Sequence, residues 1–193
     1  MPQVPIHELV SRLRCCTDDN FTDVRHIHQL LRKSVVDPGS LETYLIWDRQ
    51  HYTRNLIDKT LLKELVAICW KVGQGSSIHN HKDQNCWMAV PIGRLLVQNY
   101  KVRQQDLQGG TCDLEPTDIL EMNPAAPAAV DPANPVHKVY NPPEFGQRAV
   151  SLHVYSRPYD SCVVYSDEQH KCGEIKLSYT SEFGVKRAVN QIG

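Results

Sequence analysis

Beyond about residue 45 the chain breaks into short β-rich runs: LKELVAICWKV, CWMAVPIGRLLVQNYKV, AVSLHVYS, SCVVYS and EIKLSYTSEF. Clusters of Gly, Pro, Asn and Asp separate them, as turns separate antiparallel strands. A chain of many short strands closes into a sandwich or barrel, which limits the unpaired edges an open sheet would expose. Two helical patterns precede the strands. IHELVSRLRCC places Ile6, Leu9, Val10 and Leu13 at helical spacing. TDVRHIHQLLRKSVV has Thr22 or Asp23 as its N-cap and stops at Asp37-Pro38-Gly39.

A length of 193 residues is enough for one domain with a substantial core. The expected organisation is a helical part, residues 1–45, bracing the outside of a β-barrel formed by residues 46–193. NPAAPAAVDPANP, residues 123–135, has the composition of a linker, yet the strands after it are too few for a core of their own. It is expected to be an ordered surface crossing between halves of one barrel.

A net charge of −1 leaves no nucleic-acid footprint and no membrane-surface patch. No apolar run approaches the ~20 residues that span a bilayer. The start, MPQVPIHELVSRLRCC, carries Glu8, Arg12 and Arg14 and has no small-residue cleavage site, so it does not read as a signal peptide. The seven cysteines include no CxxC pair, and Cys15 and Cys16 are adjacent. That pattern argues against a disulfide framework or a zinc knuckle and for a reducing cytoplasm.

Chemistry concentrates in GQGSSIHNHKDQNCWMAVPIG, residues 73–93. His79 and His81 alternate, so on a strand both point to one side. Neutral imidazoles suit Fe, Zn, Cu and Ni, and the third ligand has to come from elsewhere in the chain. His137 in NPVHKVYN offers it, with His153 as competitor. Asp83 extends the alternation and supports a rival two-histidine-one-carboxylate triad, in which Arg148 would suit a 2-oxoglutarate carboxylate. Most single histidines are surface or hydrogen-bonded residues; an alternating pair in one glycine-bounded strand is a stronger signal.

The spacing Gly73, His79, His81, Cys86, Gly93 resembles the first cupin motif, with cysteine where glutamate is usual. His137 and Asn141 resemble the close of the second, in which Asn134 stands at a glycine position. Asparagine tolerates the left-handed backbone better than most residues. Four ordered stretches, HYTRNL, GSSIHNHKDQNCW, SLHVYSRPYDSC and YTSEFG, together resemble the cysteine dioxygenase family, the thiol dioxygenases of the cupin superfamily. The resemblance covers roughly residues 50–184 and is weaker around KVRQQDLQGGTCDLEP.

The resemblance implies a mainly β fold, the cupin double-stranded β-helix or jelly-roll barrel, with the N-terminal helices packed outside. It implies Fe(II) held by His79, His81 and His137, with no organic cofactor. Arg54, with Tyr52 nearby, would hold the substrate carboxylate. Cys86 and Tyr155 match a pair that forms a thioether crosslink, Ser151 and His153 match groups hydrogen-bonded in sequence to that tyrosine, and Cys162 matches a cysteine near the site. The substrates would be L-cysteine and O₂, in cysteine catabolism, and a monomer without nucleic-acid or membrane partners is expected. Enzymes for 3-mercaptopropionate place a glutamine where Arg54 stands, so the arginine points to cysteine.

The residues make sense in these roles. In SLHVY, Ser151, His153 and Tyr155 share one strand face, while Leu152 and Val154 occupy the other. Facing solvent, this is an ordinary amphipathic strand; facing a barrel interior, it is a hydrogen-bond relay ending in a phenol. The planar fork of Arg54 can hold a carboxylate bidentately. Cys86 is by default a small core hydrophobe, but a free thiol beside a metal that binds O₂ would compete with a substrate thiol. Three other functions remain open: a dioxygenase for another small thiol, a 2-oxoglutarate oxygenase using Asp83, and a non-catalytic metal-binding cupin.

Overall fold

The structure, a computed structural model, describes residues 3–187. It begins with α1 (Ile6–Arg14), α2 (Asp18–Thr22) and α3 (Val24–Lys33). Asp23 is the N-cap of α3, its carboxylate accepting from the Arg25 amide at 2.9 Å. The short α2 interrupts what periodicity reads as a connection; a capping box between Thr17 and Asn20 starts it.

The strands follow as β1 (Thr53–Lys59), β2 (Glu64–Trp70), β3 (Ile78–His79), β4 (Asn85–Ile92), β5 (Leu95–Asp106) and β6 (Thr111–Met122). Next come β7 (Ala128–Ala129), β8 (Val136–Tyr140), β9 (Ala149–Ser156), β10 (Ser161–Ser166), β11 (Lys171–Lys176), β12 (Ser181–Glu182) and β13 (Val185–Lys186). One sheet has the order β13-β12-β1-β2-β9-β4-β7; in the other, β10-β11-β6-β5-β8-β3, the last strand pairs back to the first. Strands far apart in sequence thus lie side by side, as in the expected double-stranded β-helix.

Burial follows from this layering. β2 is buried along its whole length, and so is β9 apart from Ser156. Leu65, Ala67, Val150, Leu152 and Val154 pack outward against Leu9, Leu13, Phe21, Ile27 and Leu31 of the helices. Val66, Ile68, Trp70 and Tyr155 face the interior with Met88, Leu95 and Val97. The helices therefore give this sheet a second dry face, which is why β2 and β9 are buried on both sides. The Trp87 indole, donating to the Val24 carbonyl at 2.8 Å, ties α3 to the sheet.

Turns carry their own constraints. Gly93, between β4 and β5, has φ +74°, and a Cβ there would lie 2.7 Å from the Arg148 carbonyl oxygen. The proline-rich crossing is ordered, and it also supplies the edge strand β7, which pairs with β4 through Trp87 and Met88. Asn134 does not use the left-handed backbone open to asparagine. Its side chain instead donates to Asp131 at 3.1 Å, and Asp131 also accepts from the Ala133 amide, so a side-chain-bonded turn replaces the glycine. Most of β6 is exposed, and Pro116, which cannot donate to a ladder, sits at a register shift opposite Tyr100. Among the described residues no helix is long and apolar enough to cross a membrane.

The β1–β2 hairpin joins α1 through a buried ion group. Lys63 is 1% exposed and Asp58 3%; the Lys63 ammonium donates to Asp58 Oδ2, and Arg14 Nη2 donates to Oδ1 at 2.5 Å. Removing one member strands a buried charge, which costs more than replacing the pair by apolar groups. Asp58→Ala, which leaves the buried Lys63 ammonium without its acceptor, is expected to lower unfolding free energy by about 3–5 kcal/mol in urea titrations of the metal-free protein. The double variant Asp58→Leu/Lys63→Met is expected to lose less than that single change.

Candidate functional site

Two paired strands bring three imidazoles together. His79 ends β3 directly opposite His137 of β8, and His81 follows two residues later at 0% exposure. One ring nitrogen from each lies within 4.8 Å of the others, and the ring centroids are 4.8–5.2 Å apart. His79 Nδ1 donates to the Ser77 carbonyl at 2.9 Å and His137 Nδ1 to the Pro135 carbonyl at 3.3 Å. Each bond directs the ring's Nε2 toward the cluster, the usual outer support of a histidine ligand.

The electrostatics suit metal binding. Both nitrogens of His81 and Nε2 of His137 are buried without a hydrogen-bond partner, a costly condition that a cation relieves. Burial pushes the His79 pKa down to about 4 and holds His81 and His137 well below the ordinary histidine range. All three are neutral at pH 7, as ligands must be. With nitrogen donors only, the site fits iron or another imidazole-binding metal.

The rival ligands lie elsewhere. The strand stops at His79, and Lys82 and Asp83 turn the chain with φ of +48° and +64°, which leaves Asp83 exposed. Arg148 is exposed too, stacked 4.7 Å over the Trp47 ring. His153 has both nitrogens engaged: Nε2 with Ser151 Oγ at 2.8 Å and Nδ1 with the Tyr155 hydroxyl at 3.0 Å. Ser151, His153 and Tyr155 are all buried on the interior side of β9, so SLHVY is a relay and not a solvated face. Its far end is Trp70, whose indole donates to Ser151 Oγ at 2.8 Å.

Tyr155 connects the parts. Its ring centroid lies 5.5 Å from that of His81 and 5.1 Å from that of Tyr159. Burial holds its phenol well above the ordinary tyrosine pKa. Cys86 on β4 is its direct cross-strand neighbour and is 1% exposed; burial keeps that thiol protonated. Arg54 places its guanidinium 5.8 Å from the rings of both Tyr155 and Tyr179. Its side chain is 12% exposed, and Nε and Nη2 have no hydrogen-bond partner. Tyr52 stacks on Trp70 at 4.7 Å, and Cys162 is buried in β10, whose Val164 pairs with His79.

Sequence reasoning missed Trp70, Tyr159, Tyr179 and Glu64. Trp70 and Glu64 lie in an apolar run that reads as plain strand, and Tyr159 lies within SRPYDSC without a pattern of its own. The Gly73 and Asn141 ends of the motif frame do meet: the Gly73 amide donates to the Asn141 carbonyl at 2.8 Å.

Two outcomes follow. After anaerobic Fe(II) loading, His81→Ala and His137→Ala should each bind metal about 100-fold more weakly or worse, whereas Asp83→Ala should keep full stoichiometry by elemental analysis. Without metal, the folded state binds fewer protons than the unfolded chain between the unfolded histidine pKa near 6.5 and the folded values of about 4 for His79 and about 3 for His153. Stability is therefore expected to fall as pH drops from about 6.5 toward 4, by up to about 1.4 kcal/mol per pH unit for each such histidine, in urea titrations across that range.

The family model described as cysteine dioxygenase type I matches residues 3–168. Cysteine dioxygenase type 1 of Danio rerio is 27% identical over 184 residues, 94% of this chain and 89% of its own. The Bos taurus protein of that name is 28% identical over 165 residues, 85% of this chain and 80% of its own. Among solved structures, a Klebsiella pneumoniae protein with a double-stranded β-helix domain aligns with a TM-score of 0.47 and 15% identity, over 61% of this chain and 81% of its own. With a family match running from residue 3 to residue 168, the chain belongs to the cysteine dioxygenase type I family.

Proposed function

We propose that the protein is a non-haem iron(II) thiol dioxygenase that oxidises L-cysteine with O₂ to cysteine sulfinic acid, without an organic cofactor. The observation that carries this reading is a matched pair of deficits. Buried imidazole nitrogens of His81 and His137 have no hydrogen-bond partner, and neither do the buried Nε and Nη2 of Arg54. Tyr155 stands beside both. A small thiol bearing a carboxylate would satisfy the arginine and offer its sulfur to a metal that His79, His81 and His137 would hold.

Iron(II), when bound, supplies a cationic centre that favours thiolate over thiol and reacts with O₂. Three neutral histidines leave that charge undiminished, which suits a substrate that brings its own anion. Arg54 holds the carboxylate through its planar fork, and a lysine would lack the second aligned donor. Ser151 and His153 orient the Tyr155 phenol toward the substrate, while Tyr52 walls the site against Trp70. Cysteine is preferred over 3-mercaptopropionate on the strength of Arg54.

The reading includes a thioether between Cys86 and Tyr155, supported by their direct cross-strand pairing. A sulfur–carbon bond replaces the S–H and one ring C–H, and two protons and two electrons pass to O₂, giving hydrogen peroxide. The crosslink removes a thiol that would otherwise oxidise or compete with substrate. Cys162 has a minor part. The reading also takes residues 1–193 as one cupin unit, a monomer in the reducing cytoplasm, supported by seven cysteines that are all unpaired.

The test is O₂ uptake and sulfinate formation by iron-loaded protein given cysteine. Equal amounts of each are expected, with Arg54→Gln losing roughly 100-fold in kcat/KM for cysteine. Intact mass of active protein should be two hydrogens below the sequence mass in the crosslinked fraction, and unchanged in Cys86→Ser. No uptake by well-metallated protein, with or without 2-oxoglutarate, would leave a metal-binding cupin without oxygenase activity.

A further inference from the structure

One buried carboxyl, that of Glu64, lies beside Arg54. Glu64 opens β2 at 0% exposure, in register with Tyr155 on β9 and Lys59 on β1. Its Oε2 accepts from the Tyr179 hydroxyl and lies 3.7 Å from the Lys59 ammonium, whose side chain is 42% exposed. Its Oε1 has no hydrogen-bond partner and lies 3.9 Å from Arg54 Nη2, which has none either. Burial pushes this carboxyl up, while Tyr179, Arg54 and Lys59 draw it back toward the ionised form. The separation is within ion-pair reach and beyond a hydrogen bond, so a buried carboxyl and a buried guanidinium face each other without closing.

We propose that Glu64 is a positioning residue that competes with the substrate carboxylate for Arg54, and so sets how firmly the site holds a carboxylate. The proposal rests on the reading of Arg54 as the carboxylate clamp. Two anions drawing on one guanidinium each weaken the other's hold, and the effect is reciprocal. Tyr179 sets the balance by holding Oε2. Without its hydroxyl, Glu64 leans harder on Arg54. The product of the proposed reaction carries the same carboxylate as the substrate, so a clamp tempered in this way loosens both and favours release.

Three thiols distinguish the possibilities: L-cysteine, 3-mercaptopropionate, and cysteamine, which lacks the carboxylate. Their affinities are measured by anaerobic calorimetry on zinc-loaded protein, which binds thiolate without turnover. Glu64→Gln keeps the size and an oxygen for Tyr179; it is expected to tighten cysteine and 3-mercaptopropionate about tenfold and to leave cysteamine within about twofold. Tyr179→Phe is expected to weaken the two carboxylate thiols about threefold with cysteamine again unmoved, and it carries the test if Glu64→Gln does not fold. Carboxylate thiols unmoved or weakened in Glu64→Gln, or a matching shift in cysteamine, would overturn the proposal. Arg54→Leu separates the two readings. If that variant binds cysteine as tightly as the unaltered protein, the clamp itself is wrong and the proposal falls with it. If it loses the advantage of cysteine over cysteamine while Glu64→Gln changes nothing, the clamp stands and only the role of Glu64 is lost.

Discussion

His79 and His137 meet because β3 and β8 run antiparallel with these residues in direct register. The same kind of constraint lays Glu64, Tyr155 and Cys86 in a row across β2, β9 and β4. A slip of one residue in β9 would turn Ser151, His153 and Tyr155 toward the helices and Leu152 and Val154 toward the histidine cluster. The apolar cover of α1, α2 and α3 makes that slip costly, because the outer face has room only for hydrophobic side chains. The helices thus bear on the chemistry without contributing a ligand.

Burial then sorts the charges. Dehydration lowers the imidazole pKa values and raises those of Cys86 and Tyr155, so both kinds of group sit in the interior uncharged. A guanidinium cannot respond in this way and stays cationic. Arg54 is therefore a fixed positive charge beside these neutral groups, with the Glu64 carboxyl 3.9 Å away.

Much of this was legible in the sequence where a local rule applies. Alternation placed Ser151, His153 and Tyr155 on one face, and turn residues marked the strand ends. His137 could be named only as a candidate, since its meeting with His79 depends on pairing between segments far apart. The rule failed where its premise failed: alternation was extended to Asp83, but a left-handed turn at Lys82 and Asp83 ends it. Trp70, Glu64 and Tyr179 escaped notice because their roles arise from neighbours on other strands. β6 is mostly exposed and carries a proline, so it lacks the apolar signature that marks a strand.

The relay behind Tyr155 has a direction that a proton count supplies. An indole N–H can only donate, so Trp70 occupies a lone pair of Ser151 Oγ. Among the described residues that oxygen has one other partner, His153 Nε2, so the serine proton goes there. The ring's remaining proton then resides on Nδ1 and is donated to the Tyr155 oxygen. The phenol has accepted from behind, and its own hydrogen is left to point forward, toward whatever occupies the space beside His81. An indole one strand away thereby decides which side of the phenol carries the proton.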